Sequence, residues 1–437
     1  MPPIVVQNEK LLDYMTDRYD LASVRRLRRF LEDHGTFRFT PLRTHLFSAA
    51  VVTRSNVHSG YQHVWVRDNV HVSHAFYVTK QVRAAARTMS ALMQFFTQHR
   101  HRFHDIIHGR ADRADPMSRP HVRFNGVTLR ESKDTWAHAQ NDALGYFLWM
   151  YCTLACAGLV KPSRDEVETL TLFPRYFDAI HYWADEDSGH WEETRKIEAS
   201  SIGAVVAGLG KLREFFSKGR SDTERRGGSS RDSESILKAL ERRGRKALNQ
   251  ILPNECIQKS PAKRRRTDAA LLFLVYPIEV VGTAMGARIL KDIAESLEGP
   301  FGIKRYVGDS YWAADYKDKL DATQRTVDFS HNMEMRNNLL TPGQEAQWCL
   351  FDPIMSAAYG RRYQRTGSKE FLNQQTHYFN RSLGQLTGKV KGVQEFQCPE
   401  AYYLQGGRYV PNDQTPLLWT QANLLVAVKL MEQSLSA

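Results

Sequence analysis

The chain has 437 residues, 42% of them apolar, which is enough to form the buried core of one large domain or two ordinary ones. No window reaches the roughly 18 consecutive apolar residues of a membrane-spanning helix, and no basic segment precedes an apolar stretch at the start. Five scattered cysteines are too few for a disulfide framework. We therefore expect a cytoplasmic protein that does not associate with membranes.

The net charge of +12 is concentrated in one part of the chain. Residues 211–270 contain 17 Lys and Arg against 8 Asp and Glu, so this segment holds most of the excess. A nucleic-acid-binding protein usually spreads its basic residues over a binding face. We therefore do not expect nucleic acid as a partner.

Helical patterns dominate the chain. Residues 86–100 carry apolar side chains at spacings of three and four, and residues 420–437 show a shorter amphipathic pattern. Residues 140–160 are apolar on nearly every face, which is typical of a helix buried on several sides, and Gly158 and Pro162 end it. Alternating runs are scarce, and no Gly-rich nucleotide motif follows a strand. The sequence predicts an all-α fold.

One stretch interrupts this pattern. Residues 213–266 form a polar, basic segment, which we interpret as an insertion within a single domain that covers residues 1–437. Inside it, within the basic stretch 231–252, a predicted helix at 236–252 has one apolar side, made of Ile236, Leu237, Leu240, Leu248 and Ile251. Such a helix either packs on the body of the protein or offers a docking site to a protein partner.

Aromatic and charged residues concentrate in the segments between the predicted helices. An all-α scaffold with functional loops gathered at one end would have this distribution. Flat rings can receive the C–H faces of a pyranose, while carboxylates, amides and Arg hold its hydroxyls, so the loops also suit a sugar site. These loops are residues 59–69, 134–142, 185–193, 301–312 and 397–413.

Two glutamates in these loops are candidates for acid/base chemistry. Cleavage of a glycosidic bond needs one protonated carboxyl and a second carboxylate that activates water or attacks. Glu192 follows Trp191, and Glu400 lies close to Tyr402 and Tyr403, so both have aromatic neighbours that raise a carboxyl pKa by desolvation. Taken singly, a glutamate in such a position is more often an exposed loop residue than a catalytic one.

The order of the motifs resembles the glucoamylases of glycoside hydrolase family 15 and the related amino-terminal domains of the phosphorylase kinase α and β subunits. The resemblance runs from about residue 40 to 433. It rests on five segments in order: WVRDN, WAHAQNDALGYFL, HWEETRKIEASSIGAVVAGL, GIKRYVGDSYW with EAQWCLFDP, and CPEAYYLQGGRYVPNDQTPLLWTQANLLVA. Of these, the fourth and the CPEAYY segment look closer to the kinase subunits.

This resemblance implies an (α/α)6 barrel, a toroid of six helical hairpins, with an active-site pocket formed by loops at one end. It implies Glu192 as general acid and Glu400 as general base of an inverting, exo-acting α-glucoside hydrolase. The substrate would be a soluble oligosaccharide or small glucoside with α-linked glucose. Implied substrate contacts are Trp65, Arg67, Asp68, Trp136, Asp142, Trp191, Glu193 and Arg305.

Two other interpretations remain open. A catalytically silent regulatory or sugar-sensing protein, like the kinase subunits, would keep the fold, and the basic segment favours it. A metal enzyme would need His104 and His108, one helical turn apart, to find a third ligand, and no recognisable spacing supplies one. We therefore expect neither a metal nor a cofactor.

Overall fold

The computed structural model describes residues 4–51, 59–218, 228–341 and 343–436, without the side chains of residues 228–233. Within these residues the chain forms fifteen α-helices: α1 (Leu21–Asp33), α2 (Val66–Val78), α3 (Val82–Gln98), α4 (His101–Ile107), α5 (Asn141–Cys156), α6 (Arg164–Ile180), α7 (Ala199–Lys218), α8 (Gly228–Ile251), α9 (Leu272–Val275), α10 (Thr283–Ser296), α11 (Tyr316–Lys319), α12 (Met333–Leu339), α13 (Phe351–Thr366), α14 (Lys369–Gly384) and α15 (Leu418–Ser434). None of them is both long and apolar enough to span a membrane.

Six of these helices close into a ring. Going round it, α2 contacts α5, α5 contacts α7, α7 contacts α9, α9 contacts α13, α13 contacts α15, and α15 returns to α2. A second helix packs outside most members of the ring: α1 on α15, α3 on α2, α8 on α7, α10 on α9 and α14 on α13, while α6 lies against α3 and α8. This is the predicted all-α (α/α)6 barrel.

Burial separates the two layers. In α5, every residue from Asn141 to Cys152 is buried, because inner helices touch neighbours on all sides. Helix α3 instead buries one stripe, as its periodicity predicts. Helix α15 differs from the amphipathic prediction, because it is buried on nearly every face. Its polar side chains are satisfied inside the protein: Gln421 donates to the Thr36 carbonyl and Asn423 to the Leu350 carbonyl.

The contact between α5 and α7 depends on small residues. A Cβ at Gly145 would overlap the backbone of Ala204 and Val205, and a Cβ at Gly208 would meet the Gly145 carbonyl oxygen. These glycines let the two inner helices approach closely. The approach brings together the chain segments that precede both helices.

The basic segment differs from its prediction as an insertion. Residues 213–218 end α7, and residues 228–251 form α8, which is one of the six outer helices of the barrel. Leu237, Leu240, Leu248 and Ile251 are buried against the body, whereas Ile236 is 48% exposed. The apolar side predicted as a possible docking surface therefore packs within the barrel, and the polar residues 219–227 lie outside the described part of the chain.

Short strands connect the helices at one end of the ring. They are β1 (Val64–Trp65), β2 (Arg123–Asn125), β3 (Arg130–Glu131), β4 (Cys256–Ile257), β5 (Arg264–Arg265), β6 (Glu298–Gly299), β7 (Gly302–Ile303), β8 (Gln347–Trp348), β9 (Ala401–Gln405) and β10 (Arg408–Pro411). The largest sheet is antiparallel with the order β10-β9-β8-β7-β6. The sequence did not predict this sheet, because strands of two to five residues carry little periodicity.

Candidate active site

A cleft lies over the amino-terminal ends of the inner helices. Trp65, Arg67 and Asp68 at the start of α2, Trp136 before α5, Glu192 before α7, Trp348 before α13, and Leu417 and Trp419 at the start of α15 all line it. Counting its open mouth, the cleft encloses about 780 Å³. The positive ends of the helix dipoles gather here, so the cleft favours carboxylates and other oxygen acceptors.

Glu192 lies on a closed loop. The backbone groups of Asp187 and Lys196 pair at 2.8 and 2.9 Å and close the loop between them. Gly189 begins a 3-10 turn with φ of +52°, and a Cβ there would collide with the carboxylate of Glu198. Glu192 ends the turn in the left-handed region, with φ of +57°. A non-glycine residue held in that region is a feature that clusters at functional sites.

The carboxyl group of Glu192 has one occupied and one free oxygen. Its Oε1 accepts hydrogen bonds from Trp65 Nε1 at 2.8 Å, Gln140 Nε2 at 3.2 Å and Arg67 Nη2 at 3.4 Å. Its Oε2 has no hydrogen-bond partner among the described residues, and the side chain is 19% exposed. Burial raises the pKa of Glu192, although Arg67, Arg123 and Trp65 oppose the rise. The free oxygen is thus able to carry a proton.

Glu400 is held differently, immediately before β9. Trp348 of β8 pairs with Ala401, and the Cys349 amide donates to the Glu400 carbonyl at 2.9 Å. Tyr61 Oη donates to Glu400 Oε1 at 2.8 Å, and Asn412 Nδ2 donates to Oε2 at 2.5 Å. Burial raises the pKa of Glu400 to about 7 against the opposing effect of these two hydrogen bonds. The site therefore contains two buried carboxyl groups that both take up protons more readily than usual.

Arg67 and Asp68 reach the cleft from the first turn of α2. Arg67 Nη1 donates to Asp142 Oδ2 at 2.6 Å, and Nη2 donates to the His190 carbonyl at 2.9 Å. Burial raises the pKa of Asp68 to about 7, although Arg67 opposes it. Asp142 is fully buried and does not line the cleft, so its predicted sugar contact is replaced by a supporting position behind Arg67.

Glu193 also differs from its predicted role as a substrate contact. It is buried behind the cleft wall and accepts from Arg305 at 3.1 Å, Arg336 at 2.8 Å and Arg265 at 3.2 Å. Burial alone would raise the pKa of Glu193, but the three guanidinium groups hold it well below its usual range. Arg305 does line the cleft, as predicted, and Asp309 and Glu193 fix its position.

The three predicted tryptophans all line the cleft. Trp65 and Trp136 meet edge to face at 5.9 Å between ring centroids, and Trp191 Nε1 donates to Asp268 at 2.9 Å. Sequence reasoning missed several further members of the site: Tyr61, Tyr311, Trp348, Trp419, Arg336 and Asn412. Tyr61 could have been predicted from the sequence, because it lies in the aromatic loop 59–69. No sequence pattern around Arg336 indicates a site residue.

In the part of the chain that the structure describes, metal-binding side chains do not converge on the cleft. Among the described residues, the group whose ligand atoms lie close enough for one ion is Glu198, Glu255 and Cys256, buried behind the Glu192 loop. Lys196 Nζ lies 3.3 Å from Glu198, and Ser200 Oγ donates to Glu255 at 2.5 Å, so protein groups already serve these carboxylates. The rings of His104 on α4 and of His108, directly after α4, lie 5.8 Å apart with no third ligand among the described residues.

Sequence comparisons place the chain among carbohydrate-active proteins and their relatives. The profile of the family described as "Glycosyl hydrolases family 15" matches residues 45–322, which include Glu192 and Arg305 and end before Glu400. A probable phosphorylase b kinase regulatory subunit alpha of Caenorhabditis elegans is 24% identical over 277 residues. That match covers 57% of this chain and 21% of the relative, so the chain spans about a fifth of this relative's length.

Solved structures share the fold. A wild-type glycosidase superposes with a TM-score of 0.63 at 16% identity, covering 94% of this chain and 97% of its own. A glucoamylase from Saccharomycopsis fibuligera gives 0.59 at 12% identity, covering 96% and 97%. A bacterial glucoamylase complexed with acarbose gives 0.57 at 13% identity, covering 90% and 53%. Because the family profile matches more than half of the residues, this chain belongs to glycosyl hydrolase family 15, the family that its motifs resemble.

Proposed function

We propose that this protein is an inverting, exo-acting α-glucoside hydrolase in which Glu192 is the general acid and Glu400 the general base. The observation that carries the proposal is the pair of buried carboxyl groups on one cleft, each with a raised pKa and each held by a different set of donors. A general acid must keep its proton near neutral pH, and a base must compete for one, so both roles profit from such a shift.

The hydrogen bonds of the two glutamates support a different role for each, general acid for Glu192 and general base for Glu400. Among the described residues no donor contacts Oε2 of Glu192, so a proton on this oxygen can pass to the glycosidic oxygen as the bond breaks. Glu400 has donors on both oxygens, from Tyr61 and Asn412, which orient it while leaving lone pairs for a water proton. In this proposal Glu400 removes a proton from water, which attacks the anomeric carbon on the face opposite to the leaving group. The expected carboxyl separation for inversion is roughly 6.5–9.5 Å.

The remaining cleft residues suit a terminal glucose. Arg67, Asp68 and Arg305 offer charged donors and acceptors to its hydroxyl groups, and the Trp65 and Trp136 rings offer an apolar wall. Structural neighbours support the ligand class: one is a bacterial glucoamylase complexed with acarbose, and another is a glycosidase variant in complex with glucose. We propose that the substrate is a soluble oligosaccharide or small glucoside with α-linked glucose.

A second candidate function follows from the kinase relative. The 24% identity to a phosphorylase b kinase regulatory subunit favours a catalytically silent protein that binds sugar or regulates a partner. Such a protein has no need of two carboxyl groups whose pKa values are raised on one cleft, because binding alone is served by ionised or neutral groups. The hydrolase is therefore the proposal that the site supports best.

The test follows the anomer of the released glucose by proton NMR. Wild type, Glu192→Gln and Glu400→Gln are incubated with α-linked gluco-disaccharides and malto-oligosaccharides, and Glu370→Gln, an exposed carboxylate on α14, is the matched control. We expect β-glucose from wild type and the control and none from the two cleft variants. Release of α-glucose would overturn inversion. If wild type binds these sugars and releases nothing, the silent protein replaces the hydrolase.

A further inference from the structure

One short loop carries a hydrogen-bond donor for each of the two glutamates of the cleft. Tyr61 Oη donates to Glu400 Oε1, and Trp65 Nε1 donates to Glu192 Oε1, both at 2.8 Å. Only three residues separate Tyr61 from Trp65 along the chain. We call residues 59–65 the donor loop. Because the loop serves both carboxyl groups, a contact that fixes its position affects the acid and the base together.

Arg123 on β2 packs against the donor loop. It is paired with Trp65 in the strand ladder, and its guanidinium group lies 4.0 Å from the ring centroid of Trp136 and 5.1 Å from that of Trp65. The same guanidinium reaches the turn of the loop: its Nη2 lies 3.2 Å from His63 Nδ1, and a Cβ at Gly60 would overlap it. Arg123 is not among the described residues that line the cleft, so its contacts are with the loop and not with the cleft itself.

Packing alone does not explain an arginine in this place. Arg123 is 4% exposed, and its Nε has no hydrogen-bond partner among the described residues. A buried cation loses its hydration, and contact with aromatic faces recovers only part of that loss. An apolar side chain of similar length would be easier to bury. The arginine therefore has a use other than filling the space behind the loop.

The shape of the guanidinium indicates this use. One flat face can stack on aromatic rings while the edge contacts the turn at residues 60–63. We propose that Arg123 is a positioning residue, which holds the donor loop so that both donors reach their carboxyl groups. The inference rests on the proposed function and deepens it, because it adds a residue outside the cleft on which the general acid and the general base both depend.

The charge of Arg123 and its flat shape act differently on the two glutamates. Burial raises the pKa of Glu192, and the charge of Arg123 is among the effects that oppose the rise. Arg123→Met removes the charge and the flat group, whereas Arg123→Lys keeps the charge alone. Both variants should raise the pKa of Glu400 by about 0.5–2 units, because the loop no longer holds the Tyr61 bond in place. The pKa of Glu192 should rise more in Arg123→Met than in Arg123→Lys.

The test combines the pKa values of the two glutamates with the pH profile of maltose hydrolysis. Carbon-13 NMR of labelled glutamate carboxyl groups gives the pKa values, with Glu192→Gln and Glu400→Gln to assign the signals. In both Arg123 variants, the acidic limb of the kcat/KM profile should move up by about 0.5–2 pH units, and kcat/KM at pH 7 should fall about twofold to fiftyfold. Arg130→Met, exposed on the neighbouring strand β3, is the matched control and should change neither.

A double-mutant cycle tests whether Arg123 acts through the Tyr61 bond. The cycle uses Arg123→Lys, because this variant keeps the charge. In a Tyr61→Phe background the bond is absent, so Arg123→Lys should add less than about 0.3 units to the pKa of Glu400. Full additivity, or an unchanged Glu400 pKa in Arg123→Lys, would overturn the inference. If wild type releases no sugar, the proposed function fails, and the NMR cycle still decides the inference because it needs no turnover.

Discussion

The hydrogen bond from Tyr61 to Glu400 offers a direct test of the electrostatics of the site. Tyr61 Oη donates to Oε1 at 2.8 Å, and this bond lowers the pKa of Glu400, which burial has raised to about 7. Because the bond stabilises the ionised form, its removal in Tyr61→Phe must raise the pKa further. A hydrogen bond to a charged group contributes about 1.5–3 kcal/mol, which corresponds to a rise of about one to two pKa units.

The expected consequence is a loss of activity at neutral pH. With a pKa of about 7 Glu400 is half ionised at pH 7, whereas a pKa of about 8 to 9 leaves only about 1–10% of the carboxylate. If Glu400 is the base, kcat/KM at pH 7 should fall about fivefold to fiftyfold, and the acidic limb of the pH profile should move to higher pH. The matched control is Tyr311→Phe, because Tyr311 Oη contacts Tyr61 Oη at 3.1 Å rather than Glu400.

The same shift can be read without turnover. Carbon-13 NMR of labelled glutamate carboxyl groups, with Glu400→Gln to assign the signal, reports the Glu400 pKa directly. An unchanged or lower pKa in Tyr61→Phe would refute the reasoning, since it would mean that the bond does not stabilise the carboxylate. A raised pKa with an unmoved pH profile would instead remove Glu400 from the role of base.

Three further predictions concern stability. Glu400→Gln should raise the free energy of unfolding, measured by chemical denaturation, more at pH 8 than at pH 5, by up to about 3 kcal/mol at pH 8, because the raised carboxyl pKa makes the wild type lose stability between pH 4.5 and about 7. Gly145→Ala should lower the free energy of unfolding by about 1–3 kcal/mol, because the new methyl group would overlap α7. Gly210→Ala in α7, where the new methyl group has room, should not lower it. Equal effects of the two variants in chemical denaturation would contradict the close approach of α5 and α7. Leu240→Ala should lower the free energy of unfolding by about 2–5 kcal/mol, and Ile236→Ala by less than about 0.5 kcal/mol. A small effect of Leu240→Ala in chemical denaturation would instead favour α8 as a docking helix.

The sequence predicted the architecture better than the details of the site. Helical periodicity and the clustering of aromatic residues between helices gave the all-α class, and the ordered motifs gave the barrel. From sequence alone, an inner helix such as α15 looks amphipathic, because it contains polar residues. These residues are nevertheless buried, since their side chains bind backbone groups far away in the chain. Gln421 donates to Thr36, a contact across 385 positions that no local pattern can reveal.

The same contrast between local pattern and distant contacts applies to the site residues. Side chains that face the cleft directly from a motif, such as Trp65, Arg67 and Arg305, lie where the motifs predicted. Asp142 and Glu193 belong to the same motifs but face backwards and neutralise arginines. Direction at a loop depends on dihedral angles such as the left-handed φ of Glu192, which are set by tertiary contacts and not by the spacing of residue types.

Glu192 and Glu193 show how strongly the direction of a side chain determines its pKa. Both are glutamates next to each other in one loop, and burial acts on both pKa values in the same upward sense. In the part of the chain that the structure describes, Glu193 contacts three arginines, which hold its pKa well below the usual range, whereas Glu192 contacts one guanidinium at 3.4 Å and has one oxygen without a donor. The carboxylate of Glu193 therefore fixes the loop to three arginines, and the carboxyl of Glu192, which faces the cleft, is left able to exchange a proton. In the proposed hydrolase this difference suits the two neighbours, because a general acid must keep its proton near neutral pH, and the weaker cation contact of Glu192 favours its protonated form more than the three arginines of Glu193 do.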